Sequence, residues 1–500
     1  MLRVTDLLAR SPAVRMISGS STIKITGVAA DSREIRQGAV YVAIPGIHAN
    51  GEDFIPDALT RGAVAVLCSQ GYHAVDLGSV TRLASDNPRL ALAQLAAAYY
   101  QQMPSHIVAV TGTDGKTSTS DFVRQFLEGL GMPAASLGTL GARAERPLGK
   151  AAKTATHTTP DPVGLHHLLS DIKEAGINFV AMEASSHGLD QYRLDAVKPE
   201  VAVFTTFGRD HLDYHLDEEA YFNAKARLFR ELLPEDGLAV LNADQPKVLG
   251  LKEELLAKSI KVRTFGHNPE ADNRILRLAP TAAGQDIAID VEGRSWQGTV
   301  PLYGAFQIMN ILAAMTAVSY YSDSPEAYFS LLPKIKGVTG RLELVAEHPA
   351  GAHVFVDYAH TPQALENVLT TIRQHAKGKL HVVFGCGGNR DKGKRPLMGQ
   401  VAIRLADAVT VTDDNPRHED PAEIRKEVLA GAPHAREIGD RQEAITTVVQ
   451  ELQARDVLLI AGKGHETTQV IAGETFHFND AEVARAAVAL VRAGKKKEPA

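Results

Sequence analysis

The chain has 500 residues, a formal charge of -6 and two cysteines, Cys68 and Cys386. That length accommodates about three domains with their own cores, the acidic balance speaks against nucleic acid as the main partner, and two cysteines exclude a disulfide framework. Asp6 and Arg10 break the apolar start, and no apolar run nears the ~20 residues that span a bilayer, so a soluble cytoplasmic protein without a membrane partner is expected.

Taken in order, residues 1 to 103 read as a small α/β domain. Its predicted strands include Ala39–Ile44 and Ala63–Leu67, and a helix over Arg89–Tyr100 closes it before the hinge Met103-Pro104-Ser105. A central domain spans 104–336. It opens with HIVAVTGTDGKTS, residues 106–118, where a β-branched run ends in a glycine loop that leads into a helix. Strands are predicted at Phe179–Met182 and Val201–Phe204, an antiparallel flap near 275–300, and a helix over Phe306–Tyr321. From 337 to 500 regular βα alternation predicts a doubly wound, mostly parallel sheet of Rossmann-like type, with strands at His353–Val356, Leu380–Phe384, Ala408–Val411 and Val457–Ile460. The fold class is therefore α/β in three domains. Polar clusters follow each strand and should converge along one sheet edge, where α/β proteins bind ligands; two such rims predict a site in a cleft between domains.

The chemistry begins at the glycine loop. Gly112 and Gly115 let backbone N–H groups face phosphate oxygens, the helix N-terminus adds positive partial charge, Lys116 reaches terminal phosphates, and the Thr117 hydroxyl suits Mg²⁺. Val110 stands where a full P-loop has glycine, so the match is partial. Glu183, just past a strand, reads either as a Mg²⁺ ligand or as the cap of the next helix. His211 and His215 have the i,i+4 spacing of a zinc pair but lack the companion glutamate and cysteine, which favours His211 as a second Mg²⁺ ligand. Lys225 lies in an apolar helical stripe with Tyr221, Phe222, Leu228 and Phe229. It reads either as a snorkelling stem or as a buried neutral amine able to take up CO₂ as a carbamate. Arg417, set by Pro416, and Arg390 on a neighbouring loop either grip a ligand carboxylate or bridge to Asp391 or Glu419.

The ordered series TGTDGKTS, EASSHGL, RDHLDYH, AKARLF, GRLE, DYAHTP, GGNRDKGKR, DNPRHEDP and AGKGHE resembles the Mur ligases over nearly the whole chain. The resemblance implies ATP-dependent addition of meso-diaminopimelate to the D-Glu γ-carboxylate of UDP-N-acetylmuramoyl-L-Ala-D-Glu, a cytoplasmic step of peptidoglycan precursor synthesis. Apart from the resemblance, a monomer is expected. The resemblance also implies an N-terminal domain for the UDP end, a central ATPase and a C-terminal domain for the amino acid. It places the ATP phosphates on Gly112, Thr113, Asp114, Gly115, Lys116, Thr117 and Ser118, with Asn310 and Arg341 as further contacts. Thr117, Glu183, His211 and Lys225 become the Mg²⁺ set, Lys225 as its carbamate, and Lys116, Glu183, His211 and Lys225 the catalytic groups. The UDP-sugar dipeptide would meet Ala30, Ser32, Ile47, His48, Ala49, Thr158, Thr159, Ser185, Gln191 and Arg193. The amino acid would meet Arg390, Asp414, Asn415, Pro416, Arg417, Gly462 and Glu466, with Arg417 favouring diaminopimelate over lysine. Asp114, Thr206 and Gln307 depart from the family pattern, and Asp114 beside phosphates would be costly unless it faces Mg²⁺ or turns outward. The residues leave as rivals a sister ligase using lysine or another diamino acid, a folylpolyglutamate-type synthetase, a nucleotide-switch ATPase and a non-catalytic UDP-sugar binder.

Overall fold

The computed structural model describes residues 2–46, 49–69, 71–72, 77–148, 158–211, 214–281, 283–322 and 324–495. They form two compact units, Met1–Arg274 with Val291–Arg294 and Asn310–Phe329, and Ile275–Asp290 with Ser295–Met309 and Ser330–Ala500.

The first unit contains two sheets. The N-terminal sheet runs Arg15–Ser18, Thr81–Ala84, Ala65–Leu67, Ala39–Val42, Gly27–Ala29 and is parallel except for its first strand. The strand predicted over Ala63–Leu67 starts two residues late, at Ala65. The helix Pro88–Tyr100 begins at an Asn87 cap and packs on Pro162–Glu174, with the Tyr100 ring stacked on His167 at 5.1 Å. That contact fastens the N-terminal sheet to the central one.

The central sheet of this unit orders Lys261–Gly266, Leu238–Asn242, Val201–Phe204, His106–Thr111, Phe179–Glu183, Ala134–Gly138 and Gly141–Ala144, with only the last antiparallel to its neighbour. Every residue of Val201–Phe204 and Leu238–Asn242 is buried, as expected for parallel strands covered on both faces. Register sets Val110 opposite Glu183 and Thr111 opposite Phe204. Three loops, after 111, 183 and 204, therefore leave the same sheet edge side by side.

In the second unit six strands order Glu343–Glu347, His353–Asp357, Val457–Ala461, Leu380–Phe384, Ala408–Val411, Arg436–Glu437, parallel apart from the first. Apolar cores lie on both faces, one built with Leu365, Leu369, Met398 and Val428, the other with Ile445, Val448, Ala484 and Val488. This is the predicted doubly wound sheet. The predicted flap is the run Asn273–Thr281, Gly284–Val291, Arg294–Val300. Its turn Glu292-Gly293 has both residues at positive φ, the two-residue connection of an antiparallel pair.

Candidate functional site

The glycine loop between strand and helix forms where expected. Gly112 and Gly115 have φ of +149° and +85°, and Gly115 caps the helix Lys116–Gly129 in the left-handed region. A Cβ at Gly112 would collide with the Thr205 hydroxyl, and one at Gly115 with the Asn310 amide oxygen. Both glycines are thus required for close approach as well as for backbone angle. Asn310 is thereby placed at this loop. Thr205 donates to the Thr111 carbonyl at 3.1 Å, and Thr206 meets both the amide and the carbonyl of Asp114, at 3.0 and 3.2 Å. Asp114 is exposed.

Two lysines converge on one carbonyl. Lys116 Nζ donates to the carbonyl oxygens of Gly112 and Thr113, both at 2.8 Å, and Lys225 Nζ donates to Gly112 O, also at 2.8 Å. Lys225 is 1% exposed and lies 4.5 Å from the Tyr221 ring centre. Burial, followed by the charge of Lys116, pushes its ammonium well below the usual lysine range. The snorkelling alternative fails because the amine itself is buried. Its helix, Glu218–Arg227, continues as a wider π-type turn, in which Leu233 N bonds Leu228 O at 3.0 Å.

Glu183 ends its strand inside the sheet and is 1% exposed. Its carboxylate accepts from Thr139 N at 2.8 Å and Thr139 Oγ at 3.2 Å, so it does not cap the following helix. Ser185 performs that capping, accepting from Gly188 N at 3.0 Å. His211 is exposed at φ +52°, with its ring 4.8 Å from that of His187. Among the described residues no three His, Cys, Asp or Glu side chains assemble as a cation cage. The oxygen donors Thr117 and Glu183, at neighbouring loop and strand ends, nonetheless match the hard ligands that Mg²⁺ takes.

Next to Glu183 the predicted substrate residues do gather. Thr139 Oγ lies 3.1 Å from Thr158 Oγ, and Thr159 Oγ donates to Glu183 O and accepts from Ser185 N, both at 3.0 Å. Arg193 donates to Thr159 O at 2.6 Å and Gln191 Oε1 at 2.9 Å. Gln191 in turn reaches Tyr214 Oη at 3.1 Å. A cavity of about 370 Å³ opens from this cluster toward the N-terminal sheet, lined among others by Ala30, Asp31, Arg89, Asp161, Gln191 and Arg193. Ser32 is buried at the start of a short 3₁₀ turn, and Ala49 is exposed. Ile47 and His48 lie outside the described residues.

The second unit carries the remaining residues. Arg341 stacks 4.9 Å from the Tyr358 ring centre, and Gln307 Nε2 donates to Arg341 O at 3.0 Å. The loops after Val411 and Ala461 meet: Asn415 Nδ2 donates to Glu466 Oε2 at 2.8 Å, and a Cβ at Gly462 would fall 2.6 Å from Asp414 Oδ2. Arg417 sits at φ +58°, held by its amide on Val470 O at 2.9 Å and by Nη1 on Gly388 O at 2.8 Å. Among the described residues neither Arg417 nor Arg390 is ion-paired, because the buried Arg395 takes Glu419 at 3.0 Å. The bridging alternative to Glu419 is thus excluded. Both guanidiniums keep donors for a ligand carboxylate.

Sequence reasoning did not single out Thr139, Tyr214 or Lys463. Thr139 gives no local signal. Lys463 lies in the quoted AGKGHE cluster, yet its flanking glycines suggest a surface loop, whereas the side chain is fully buried.

Comparison with known proteins agrees with this layout. Residues 24–100 match the description "Mur ligase family, catalytic domain", 110–318 "Mur ligase middle domain" and 340–464 "Mur ligase, glutamate ligase domain". The UDP-N-acetylmuramoyl-L-alanyl-D-glutamate–2,6-diaminopimelate ligase of Mesorhizobium japonicum is 46% identical over 472 residues, 94% of this chain and 96% of its own. That of Zymomonas mobilis is 45% identical over 468 residues, 93% and 95% of the two chains. A solved structure of a ligase of that name superposes with a TM-score of 0.71 at 33% identity, covering 98% of this chain and 99% of its own. MurF of Thermotoga maritima in complex with ADP shares the fold at 19% identity and a TM-score of 0.62, covering 95% and 99%.

Proposed function

The chain belongs to the Mur ligase family, and from that premise we propose how its residues carry the ATP-dependent addition of meso-diaminopimelate to UDP-N-acetylmuramoyl-L-Ala-D-Glu. A carboxylate oxygen of D-Glu attacks the γ-phosphorus of ATP, breaking the bond to the β-phosphate oxygen and releasing ADP. The amine of diaminopimelate then attacks the acyl carbon, the acyl C–O bond breaks, inorganic phosphate leaves and one proton is lost from the nitrogen. The observation that carries this reading is the two-lysine phosphate loop: Lys116 and Lys225 share the Gly112 carbonyl at 2.8 Å each.

Each residue cluster then has a task. The loop amides from Gly112 to Ser118 and the Lys116 ammonium hold phosphate oxygens and counter the charge that develops on the transferring group. Thr117, Glu183 and His211 would hold Mg²⁺, which supplies charge neutralisation on the phosphates when bound. Lys225, buried and shifted toward its neutral amine, fits the carbamate that would add an anionic ligand to that set. Arg193, Gln191, Thr158, Thr159 and Ser185 bind the dipeptide end of the nucleotide-sugar, and the cavity at Ala30 and Arg89 takes its remainder. Asp414, Asn415, Gly462 and Glu466 meet the ammonium end of diaminopimelate. Arg417 and Arg390 grip its distal carboxylate, which lysine lacks.

Purified protein with ATP, the nucleotide-sugar dipeptide and each amino acid tests the assignment. Phosphate release should need all three substrates, and the product should gain the mass of one diaminopimelate less water. Turnover without an amino acid would indicate a switch ATPase instead, and equal turnover with lysine would remove the selectivity argument.

A further inference from the structure

Arg441 and Asp480 form an ion pair in which both side chains are fully buried. Arg441 Nε donates to Asp480 Oδ1 at 2.7 Å and Nη2 to Oδ2 at 2.8 Å. Each residue opens a helix, Arg441–Glu451 and Asp480–Lys495, and the two helices pack together on one face of the second unit's sheet. Packing does not require such a pair. A buried ion pair is often matched or bettered in stability by apolar residues of the same volume.

The other donors of Arg441 give the pair a use. Nη2 also donates to the carbonyl of Ala461 at 2.9 Å, and Nη1 donates to that of Asp413 at 3.3 Å. Ala461 immediately precedes Gly462, and Asp413 immediately precedes Asp414. One guanidinium thus bonds a carbonyl at the base of each of the two loops that form the amino-acid pocket. Further along the same loops, Lys463 Nζ bonds Asn415 Oδ1 at 3.3 Å, Glu466 Oε2 at 3.1 Å and Thr468 O at 2.7 Å. The separation being fixed is narrow, since a single methyl group at Gly462 would press on Asp414.

We propose that Arg441, oriented by Asp480, is a positioning residue that sets the spacing of the two acceptor loops and thereby the preference for a dicarboxylic diamino acid. This rests on the reading of Asp414, Arg417, Gly462 and Glu466 as the amino-acid site. Arg441 touches no substrate and acts only through the two carbonyls. Its loss lets the Asp414 and Gly462 loops drift apart, so the ammonium and carboxylate contacts no longer fit one ligand at once. Displacements of about 1 Å at such contacts cost up to about 100-fold in rate.

The test uses the full-length chain with three variants: Asp480→Asn, which keeps the shape and removes the charge; Arg441→Lys, which keeps the charge and loses the fork; and the apolar double variant Arg441→Met with Asp480→Leu. For each, KM is measured for diaminopimelate, ATP and the nucleotide-sugar, together with the turnover ratio of diaminopimelate to lysine and the melting midpoint. The proposal expects KM for diaminopimelate to rise tenfold or more in Asp480→Asn and in the double variant, with KM for ATP within twofold. It expects the diaminopimelate-to-lysine ratio to fall in both, even where the double variant melts like the parent, and a smaller change in Arg441→Lys. An unchanged diaminopimelate KM and ratio in Asp480→Asn, or a uniform fall in activity that follows melting alone, overturns it. If the parent chain itself shows no diaminopimelate-dependent turnover, the functional reading fails instead, so the two failures are distinguishable.

Discussion

Replacing Arg417 by alanine should separate acceptor recognition from every other step. Two of the guanidinium's five N–H groups go to backbone carbonyls, those of Gly388 at 2.8 Å and Asn415 at 3.4 Å. Among the described residues the remaining donors face no carboxylate, so a ligand carboxylate takes them without displacing a partner. A hydrogen bond to a charged group contributes about 1.5–3 kcal/mol, or roughly 10- to 150-fold in kcat/KM for diaminopimelate. Arginine and alanine bear the same left-handed backbone cost at φ +58°, so stability should fall only by the lost bonds to the carbonyls, about 1 kcal/mol. Steady-state kinetics with diaminopimelate varied against fixed ATP measures the effect, and melting controls for folding. Arg417→Lys, which keeps the charge but loses the fork, should recover only part of the loss. The reasoning is refuted if kcat/KM for diaminopimelate stays within threefold of the parent, or if KM for ATP rises in step with it.

Three further outcomes are expected. Lys225→Ala should abolish ligation with partial recovery on adding short carboxylates such as acetate; parent-like rates without them would remove the lysine from the reaction. Gly112→Ala, which forces a methyl onto the Thr205 hydroxyl, should weaken ATP binding by about 1–3 kcal/mol in a nucleotide titration while leaving diaminopimelate binding intact. His166 is buried and its imidazole is pushed down to about 4 by that burial, against 6.5 when unfolded. The unfolded chain therefore binds the extra proton between those values. The stability present above pH 6.5 is lost as pH falls toward 4, by at most about 3 kcal/mol. Melting of His166→Leu should depend less steeply on pH across that window, and an unaltered slope would contradict the assignment.

Much of this was legible in the sequence because the signals are local. The strand-loop-helix at 106–118 needs only a β-branched run, two glycines and a lysine, and it folds as read. Four of the six strands of the second unit's sheet follow from period and turn residues, with Leu380–Phe384 and Ala408–Val411 matching residue for residue, whereas the edge strands Glu343–Glu347 and Arg436–Glu437 gave no such signal. What was not legible depends on contacts remote along the chain. Glu183 could be read as a helix cap because nothing nearby announces Thr139, 44 residues away. Lys225 stayed ambiguous because the pattern places a stem on an apolar face but not the depth of its amine. Arg441 and Asp480, 39 residues apart, resemble an ordinary helix start each, and only the fold joins them under the acceptor loops.

The central claim is that the γ-phosphate of ATP passes to a substrate carboxylate and not to water. Ligation with the D-Glu γ-carboxylate labelled in both oxygens with oxygen-18, in unlabelled water, reads this directly by mass spectrometry of the released phosphate. Transfer through an acyl phosphate leaves one labelled oxygen in each phosphate formed and one in the new amide. Unlabelled phosphate released alongside product would contradict the account.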